Sequence, residues 1–150
     1  MKEELEKELQ ILSPIFLSEM YGDVSKTAMH CGITCGDGWF FPLKDFCIKA
    51  HKLNLCLNGV AIVAKQIKEK FGEIRIYWDI ENTDKPLYER DSADRDEYSE
   101  VVNQFRGYLE ELCNELKHTC ELCGKRQDTL KCTKGWIRYV CDECYEKVSK

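Results

Sequence analysis

The chain predicts an α+β fold in which helices surround a β-hairpin and a cysteine-rich module closes the C-terminal end. Three observations predict it. Apolar residues recur at helical spacing over residues 2–12 and 43–57 and again after Asp94. Apolar and polar residues alternate from Ile74 to Ile80, which is typical of a half-buried strand. Four cysteines near the C-terminus follow the pattern C-x2-C-x17-C-x2-C.

The N-terminal half is predicted to be mainly helical. Leu5, Leu9 and Leu12 lie on one stripe of a first helix over residues 2–12. Ser13-Pro14 combines an N-cap residue with proline at the first helical position, so we expect a second short helix through Met20. Gly36-Asp37-Gly38 predicts a turn, and a buried helix over 43–57 then ends at Asn58-Gly59.

Residues 60–71 fit either a helix ended by Gly72 or a strand, because β-branched residues begin a segment that also has helical spacing. We favour a β-hairpin that turns around Lys70–Gly72. An acidic loop over residues 82–93 follows. A long helix then begins at Asp94, with Glu97 as its capping-box partner, and leads directly to Cys120.

Cys120, Cys123, Cys141 and Cys144 carry the strongest functional signal. In each C-x2-C pair, two thiolates of one tight turn reach the same ion, and the intervening residues allow a hairpin to complete a tetrahedron. Four thiolates fill the coordination sphere and leave no position for water or substrate. The pattern therefore predicts one structural Zn²⁺ rather than a catalytic metal.

The order of elements around these cysteines indicates a treble-clef-like module. Gly124 relieves the tight turn of a zinc knuckle, Lys134-Gly135 forms a hairpin turn, and Cys141-Asp142-Glu143-Cys144 opens a short helix over residues 145–148. The predicted fold class is thus a helical N-terminal part with a β-hairpin, a long helix, and a zinc module. We place an α+β core at residues 1–117 and the zinc-binding module at 118–150.

A second metal site is a weaker possibility. Cys47 and His51 share a face of the predicted helix, and Cys31 and Cys35 lie upstream at the same spacing. Against this, Cys47 lies on the apolar stripe, where a free cysteine packs as a small hydrophobe. We find no nucleophile–base pair and no phosphate-binding glycine loop, so the sequence does not predict an enzyme.

Composition restricts the class of protein further. The 150 residues are 43% apolar, and no apolar run approaches the roughly 20 residues that span a bilayer. The acidic start is unlike a signal peptide, so we expect the ten cysteines to be reduced thiols in a cytoplasm rather than disulfides. The net charge of -5 argues against a protein whose main role is to bind phosphate backbones.

Charge is unevenly distributed along the chain. Residues 84–100 hold seven acids against three bases. Residues 124–140 hold five bases, Lys125, Arg126, Lys131, Lys134 and Arg138, against Asp128 alone. A basic segment beside a zinc site is typical of nucleic-acid binding, but the same cations would also compensate the two negative charges of a zinc tetrathiolate.

Three blocks of sequence resemble one known family. These are Met29-His30-Cys31-Gly32-Ile33-Thr34-Cys35-Gly36-Asp37-Gly38-Trp39-Phe40, Gln66-Ile67-Lys68-Glu69-Lys70-Phe71-Gly72-Glu73-Ile74-Arg75-Ile76-Tyr77, and Cys120-Glu121-Leu122-Cys123-Gly124 with Gly135-Trp136-Ile137 and Cys141-Asp142. The chain is similar over about residues 14–145 to small phage and prophage proteins that share these segments in the same order. Members often have histidine where this chain has Cys144, and both are good zinc ligands.

The resemblance implies a phage or mobile-element setting in a bacterial host cell, and no enzyme activity. Small accessory proteins of this kind commonly disable host defences. By analogy we expect an anti-CRISPR-type, stoichiometric inhibitor of a host defence nuclease, with a type II RNA-guided effector as the partner. Its basic nucleic-acid channel would attract an acidic surface. The residues proposed to bind this partner are Asp84, Glu89, Asp91, Asp94, Asp96 and Glu97.

The alternative is a nucleic-acid-binding accessory protein. It would use the five bases of residues 124–140 for phosphates and Trp136 as a stacking surface.

Overall fold

The computed structural model describes residues 1–82 and 92–148, except the side chains of residues 92–97. The fold is α+β, as the sequence predicts. Its elements in chain order are α1 (Glu3–Leu12), β1 (Ile33–Thr34), α2 (Phe40–Cys56), β2 (Val60–Lys70), β3 (Glu73–Asn82), α3 (Ser92–Leu116), β4 (Lys131–Cys132), β5 (Tyr139–Val140) and α4 (Asp142–Val148). Two 3-10 helices, Ala28–Cys31 and Asp37–Trp39, flank β1.

Residues 60–70 form a strand rather than a helix, which confirms the favoured β-hairpin. β2 pairs antiparallel with β3, and the two-residue β1 adds to the other edge of β2 in parallel, to give the order β1-β2-β3. The hairpin turns at Phe71 and Gly72, which both have positive φ, of 57° and 78°. Pairing with β3 determines that this segment is a strand, because the spacing of its apolar residues fits both a strand and a helix.

The predicted second helix after Ser13-Pro14 is wrong. Residues 14–21 form a run of turns instead. Phe16 and Leu17 are fully buried, and the Phe16 carbonyl accepts a hydrogen bond of 2.8 Å from the Ala64 amide of β2. The Phe16 carbonyl is therefore hydrogen bonded to the sheet, and not to an amide four residues later as it would be in a helix. Two boundaries also differ from prediction: α2 begins at Phe40, and α3 begins at Ser92, two residues before Asp94.

The main core lies where α2 and α3 pack against one face of the sheet. Phe105 of α3 lies at its centre, with ring-centroid distances of 5.7 Å to Phe16, 5.5 Å to Phe46 and 4.9 Å to Trp78. Trp78 meets Phe105 edge to face, and the other two rings are tilted against it. Aromatic pairs can stabilise beyond the area that they bury, by about 0.5–1.5 kcal/mol each. These aromatic residues come from three elements and one turn segment, so they join the N-terminal half to α3.

A second, smaller cluster of buried residues surrounds the C-terminal cysteines. It contains Val140 and three of the four cysteines, and Leu122, Leu130 and Tyr145 pack against it. This cluster contains too little apolar surface to stabilise a fold of its own size. The division of the chain at residues 117 and 118 stays a prediction.

No described helix combines the length and the apolar character that crossing a membrane requires.

Asn54 connects α2 to the sheet through two hydrogen bonds. Its amide nitrogen donates to the Ile62 carbonyl at 2.9 Å, and its side-chain oxygen accepts from the Ile62 amide at 2.8 Å. Asn54 is 4% exposed. We expect Asn54→Ala to lower the free energy of unfolding by about 2–3 kcal/mol, because it leaves two buried backbone groups unpaired. Urea denaturation measures this change.

Asn103, exposed on α3, is the matched control. Asn103→Ala should change the free energy of unfolding by less than about 0.5 kcal/mol. An equal effect of the two substitutions would contradict the role assigned to Asn54.

Candidate metal centre

The structure brings the four predicted cysteine ligands together. The Sγ atoms of Cys120, Cys123, Cys141 and Cys144 all lie within 4.8 Å of one another. The Sγ atoms of Cys123 and Cys141 are 3.6 Å apart. Tetrahedral coordination with metal–sulfur bonds near 2.3 Å requires sulfurs about 3.8 Å apart, so the cluster fits a metal ion of this kind.

Local backbone structure positions each pair of cysteines. In the first pair, the Cys120 amide donates to the Lys125 carbonyl at 2.9 Å, and the Gly124 amide donates to the Cys120 carbonyl at 2.9 Å. Gly124 has φ +77°, a conformation that side chains other than glycine rarely adopt. This is the knuckle that the sequence predicts.

The second pair lies where β5 passes into α4. β5 pairs with β4, with Val140 opposite Lys131, and Cys141 immediately precedes the first residue of α4. Cys144 lies in the first turn of that helix. Knuckle, hairpin and helix therefore follow one another as expected of a treble-clef-like module.

Backbone amides favour a thiolate at Cys120. Burial raises the pKa of the Cys120 thiol, but the amides of Cys141, Cys123 and Leu122 donate to its sulfur and lower its pKa overall, to about 7. Burial and hydrogen bonds with the neighbouring thiols raise the pKa of Cys144 far above its ordinary value. Four sulfurs this close cannot all ionise without a cation, and a bound metal ion supplies that charge.

The 3-10 helix Asp37–Trp39 and the glycine before it pack directly against the knuckle. The Gly38 amide donates to the Glu121 carbonyl at 2.9 Å, and the indole nitrogen of Trp39 donates to the Thr119 carbonyl at 3.0 Å. The Gly36 amide donates to Glu121 Oε1 at 3.1 Å. We call residues 36–39 the docking loop. It ties the main core to the backbone that carries Cys120 and Cys123.

Glycine is required in the docking loop because the two backbones approach closely. A Cβ at Gly38 would overlap the Cys120 carbonyl oxygen and the Gly124 nitrogen, and a Cβ at Gly36 would overlap the Glu121 carbonyl. Sequence analysis identified Gly36-Asp37-Gly38 only as a turn. Residues 36–38 and the knuckle both carry recognisable sequence motifs, but their spacing in the chain does not predict that they are in contact.

Glu121 is a buried acid between the two knuckle cysteines. Only 1% of its side chain is exposed, and Arg138 Nε lies 3.6 Å from Oε1. Burial raises the pKa of Glu121, while the charge of Arg138 and the Gly36 amide oppose that rise. The residue thus links the docking loop, the knuckle and the segment leading into β5.

The basic residues of the module are mostly paired with acids. The ion pairs are Lys125–Glu143 at 2.6 Å, Arg126–Glu115 at 3.2 Å, Lys131–Asp142 at 2.9 Å and Arg138–Glu121 at 3.6 Å. The fifth base, Lys134, is exposed. These pairs reduce the net positive charge that the module presents to a phosphate backbone.

The weaker candidate for a second metal site is not assembled. Among the side chains of residues 1–82 and 98–148, the C-terminal cysteines form the one group of three or more potential ligands. Cys47 is fully buried in the main core, and burial raises the pKa of its thiol to about 12. Cys31 instead contacts His30, with 3.0 Å between Sγ and Nε2.

The acidic residues predicted to bind a partner divide into two groups. Asp84, Glu89 and Asp91 lie outside the described residues. Asp94, Asp96 and Glu97 belong to the first turns of α3, where only the backbone is described.

Comparisons with family models, with curated proteins and with solved structures found no match to this chain.

The docking loop gives a test of how the module is held. We expect Gly38→Ala to lower the free energy of unfolding by about 1–3 kcal/mol or more, because the added methyl group forces two backbones apart. Thermal or urea denaturation of the metal-loaded protein measures it.

Gly107, in the middle of α3, is the matched control because a Cβ there meets nothing within 4 Å. Gly107→Ala should stabilise the protein by up to about 1 kcal/mol through helix propensity. Equal destabilisation by both substitutions would mean that the close approach at Gly38 is not important.

Proposed function

We propose that the cysteine centre binds one zinc ion and that this ion is structural. Four thiolates whose sulfur atoms are close enough for tetrahedral coordination suit Zn²⁺, because thiolates are soft ligands and Zn²⁺ prefers this geometry. When bound, the ion would cross-link the two pairs of cysteines and neutralise part of their charge. It would have no open coordination position for water or substrate. Cys120 and Cys123 hold it from the knuckle, and Cys141 and Cys144 hold it from the start of α4.

Protein purified without added metal should contain about one equivalent of zinc by elemental analysis. Cys120→Ser should lower both the zinc content and the thermal midpoint, because metal binding at such a site is itself folding free energy. Cys132→Ser is the control, since Cys132 is exposed on β4 outside the cluster.

Two outcomes would contradict this assignment. One is well-folded wild-type protein with far less than one equivalent of zinc. The other is a Cys120→Ser protein that keeps the wild-type thermal midpoint.

We further propose that the protein is a phage or mobile-element protein that acts without catalysis in the cytoplasm of a bacterial host. It would inhibit a host defence nuclease, in an anti-CRISPR manner, by binding it stoichiometrically. The observation that supports this proposal is the four-cysteine cluster: a metal ion held by all four thiolates would have no open position, so we expect the module to be a scaffold and the activity to come from a binding surface. The resemblance to phage proteins supports the setting.

Charge favours a protein partner with a basic surface. The chain carries -5 overall, and seven acids are concentrated in residues 84–100. A type II effector holds nucleic acid in a positively charged channel, to which such a segment would be attracted over long range. In addition, four of the five bases of residues 124–140 are already in ion pairs. This pairing makes direct nucleic-acid binding the second candidate.

The exposed indole of Trp136, 73% accessible beside Lys134, is the observation that favours this second candidate. Aromatic surfaces next to lysine are typical of proteins that bind single strands. Direct binding to a labelled oligonucleotide would then weaken steeply as salt increases.

Reversing charge in the acidic segment tests the inhibitor proposal. Asp94→Lys, Asp96→Lys and Glu97→Lys together should slow association with a purified type II nuclease at least tenfold at low salt and weaken inhibition of DNA cleavage, because steering acts before contact. Asp84, Glu89 and Asp91 form a second set for the same reversal.

Lys125→Ala with Lys134→Ala is the control and should leave inhibition nearly unchanged. Because acids also stabilise a helix N-terminus, circular dichroism must show that α3 persists in the reversed protein. Absence of inhibition by wild-type protein would exclude this nuclease as the target. Inhibition that is lost only in the lysine variants would place the binding surface on the zinc module.

A further inference from the structure

The turn of the β2–β3 hairpin contains Phe71, an aromatic residue in a backbone conformation that is unfavourable for it. Phe71 is the first turn residue and has φ +57°, with Gly72 at φ +78° beside it. Two-residue hairpin turns with positive φ at both positions strongly prefer Asn-Gly, because asparagine tolerates the left-handed conformation that a bulky residue does not. Phe71 is also 65% exposed, so it contributes little to the core. A strained, solvent-exposed aromatic residue indicates a binding role.

Phe71 lines a groove shared with the metal module. The groove has a volume of about 270 Å³ and is lined by Glu69, Lys70, Phe71, Gly135, Trp136 and Ile137. Trp136 is 73% exposed and Ile137 38% exposed. Large apolar side chains therefore face solvent together here, unlike the isolated exposed residues found on most protein surfaces.

The metal module holds its side of the groove in place. The Tyr139 ring of β5 lies so close to Gly72 that a Cβ at that glycine would overlap it. The hairpin that carries Trp136 and Ile137 is thus packed against the tip that carries Phe71. Because β5 runs directly into Cys141, we expect the groove to need the intact cysteine centre.

The size of the groove limits what it can bind. Sites for cofactors and drug-sized ligands usually have volumes of about 300–1,000 Å³ and bury most of the ligand. A smaller, open groove suits one bulky apolar side chain of a protein. A second, open depression of about 540 Å³, lined in part by Tyr77, Leu109 and Cys113, shares Lys70 and Phe71 with the first, so the two together are longer than one side chain requires. The Phe71 ring therefore lies between two adjacent depressions, and an extended peptide segment could contact both of them.

Lysines around the groove determine the charge of its partner. Lys70 lies over the Phe71 ring, with 5.4 Å from Nζ to the centroid, and Lys68 lies over Tyr77 at 5.3 Å. Two of the exposed rings thus have a face covered by an ammonium group, which hinders stacking of nucleic-acid bases. The ammonium groups still have hydrogen atoms to donate. Glu69, which also lines the groove, already accepts a hydrogen bond of 2.6 Å from the Gly72 amide. The edge of the groove complements carboxylates.

We propose that this groove is a docking site for an acidic protein segment that inserts one large apolar side chain between Phe71 and Trp136. The described residues that line the groove lie outside residues 84–100 of the sequence. The proposal therefore does not depend on the nuclease being the target, and the two can fail independently.

Selection from a display library of random 12-residue peptides tests the proposal. Wild-type, metal-loaded protein should enrich peptides in which an aromatic or leucine residue is flanked by aspartate or glutamate. The affinity of a synthetic enriched peptide should fall at least tenfold in Phe71→Asn and in Trp136→Ala. Phe71→Asn should also raise the thermal midpoint by about 2–4 °C, since it relieves backbone strain in a domain of this size.

Phe41→Ala is the matched control, because Phe41 is 75% exposed on α2 and does not line the groove. It should leave peptide affinity unchanged. Trp136→Ala keeps the test valid if Phe71→Asn folds poorly, although a lower thermal midpoint for Phe71→Asn would itself overturn the strain argument.

Other outcomes would overturn the docking proposal. They are enrichment of basic peptides, no enrichment at all, or peptide affinity unaffected by both groove substitutions. Tighter binding of a fluorescein-labelled oligothymidine than of any peptide would make the groove a nucleic-acid site. Sedimentation that shows a dimer abolished by Trp136→Ala would make its occupant a second copy of the chain.

Discussion

Close contact between the docking loop and the knuckle is the constraint on which the rest of the structure depends. Gly38 donates its amide to the Glu121 carbonyl, and Trp39 reaches the Thr119 carbonyl from the main core. The backbone that carries two metal ligands is therefore hydrogen bonded to the segment that leads into α2. Since a small cluster of four buried residues cannot fold by itself, the module depends on this contact and on the metal together.

The electrostatics of the cysteine centre make folding and metal binding one process. Amides lower the pKa of Cys120, whereas burial and crowding raise those of Cys123 and Cys144. A bound cation would convert this crowded set of thiols into a stable tetrathiolate, and its binding energy would stabilise the β4–β5 hairpin and α4 that carry two of the cysteines or lead to them. Because Tyr139 of that hairpin packs on Gly72, order at the metal centre extends to the tip of the main β-hairpin.

We thus distinguish the part of the molecule that stabilises the fold from the surfaces that we propose for binding. The metal centre and docking loop are tightly packed and determine the shape. The groove at Phe71, which we propose as a binding surface, is lined in part by the metal module. At the hairpin tip, Phe71 has a left-handed conformation that is unfavourable for an aromatic residue, as expected where a binding role and fold stability have different requirements.

The sequence by itself determined the α+β class, the long helix, the hairpin turn and the four metal ligands. Periodicity and ligand spacing are local properties, and Cys120, Cys123, Cys141 and Cys144 meet because each pair is already fixed by its own turn. The boundaries of α2 and α3 were predicted less accurately, since helix ends depend on caps and neighbours.

Tertiary structure alone decided the features that involve distant residues. It replaced the expected helix after Ser13 with turns, in which the Phe16 carbonyl accepts a hydrogen bond from the Ala64 amide of β2. It also separated Cys47 from Cys31 and brought Gly38 to Cys120. No local pattern encodes such contacts, because their free energy comes from packing and hydrogen bonding between segments that are far apart in the chain.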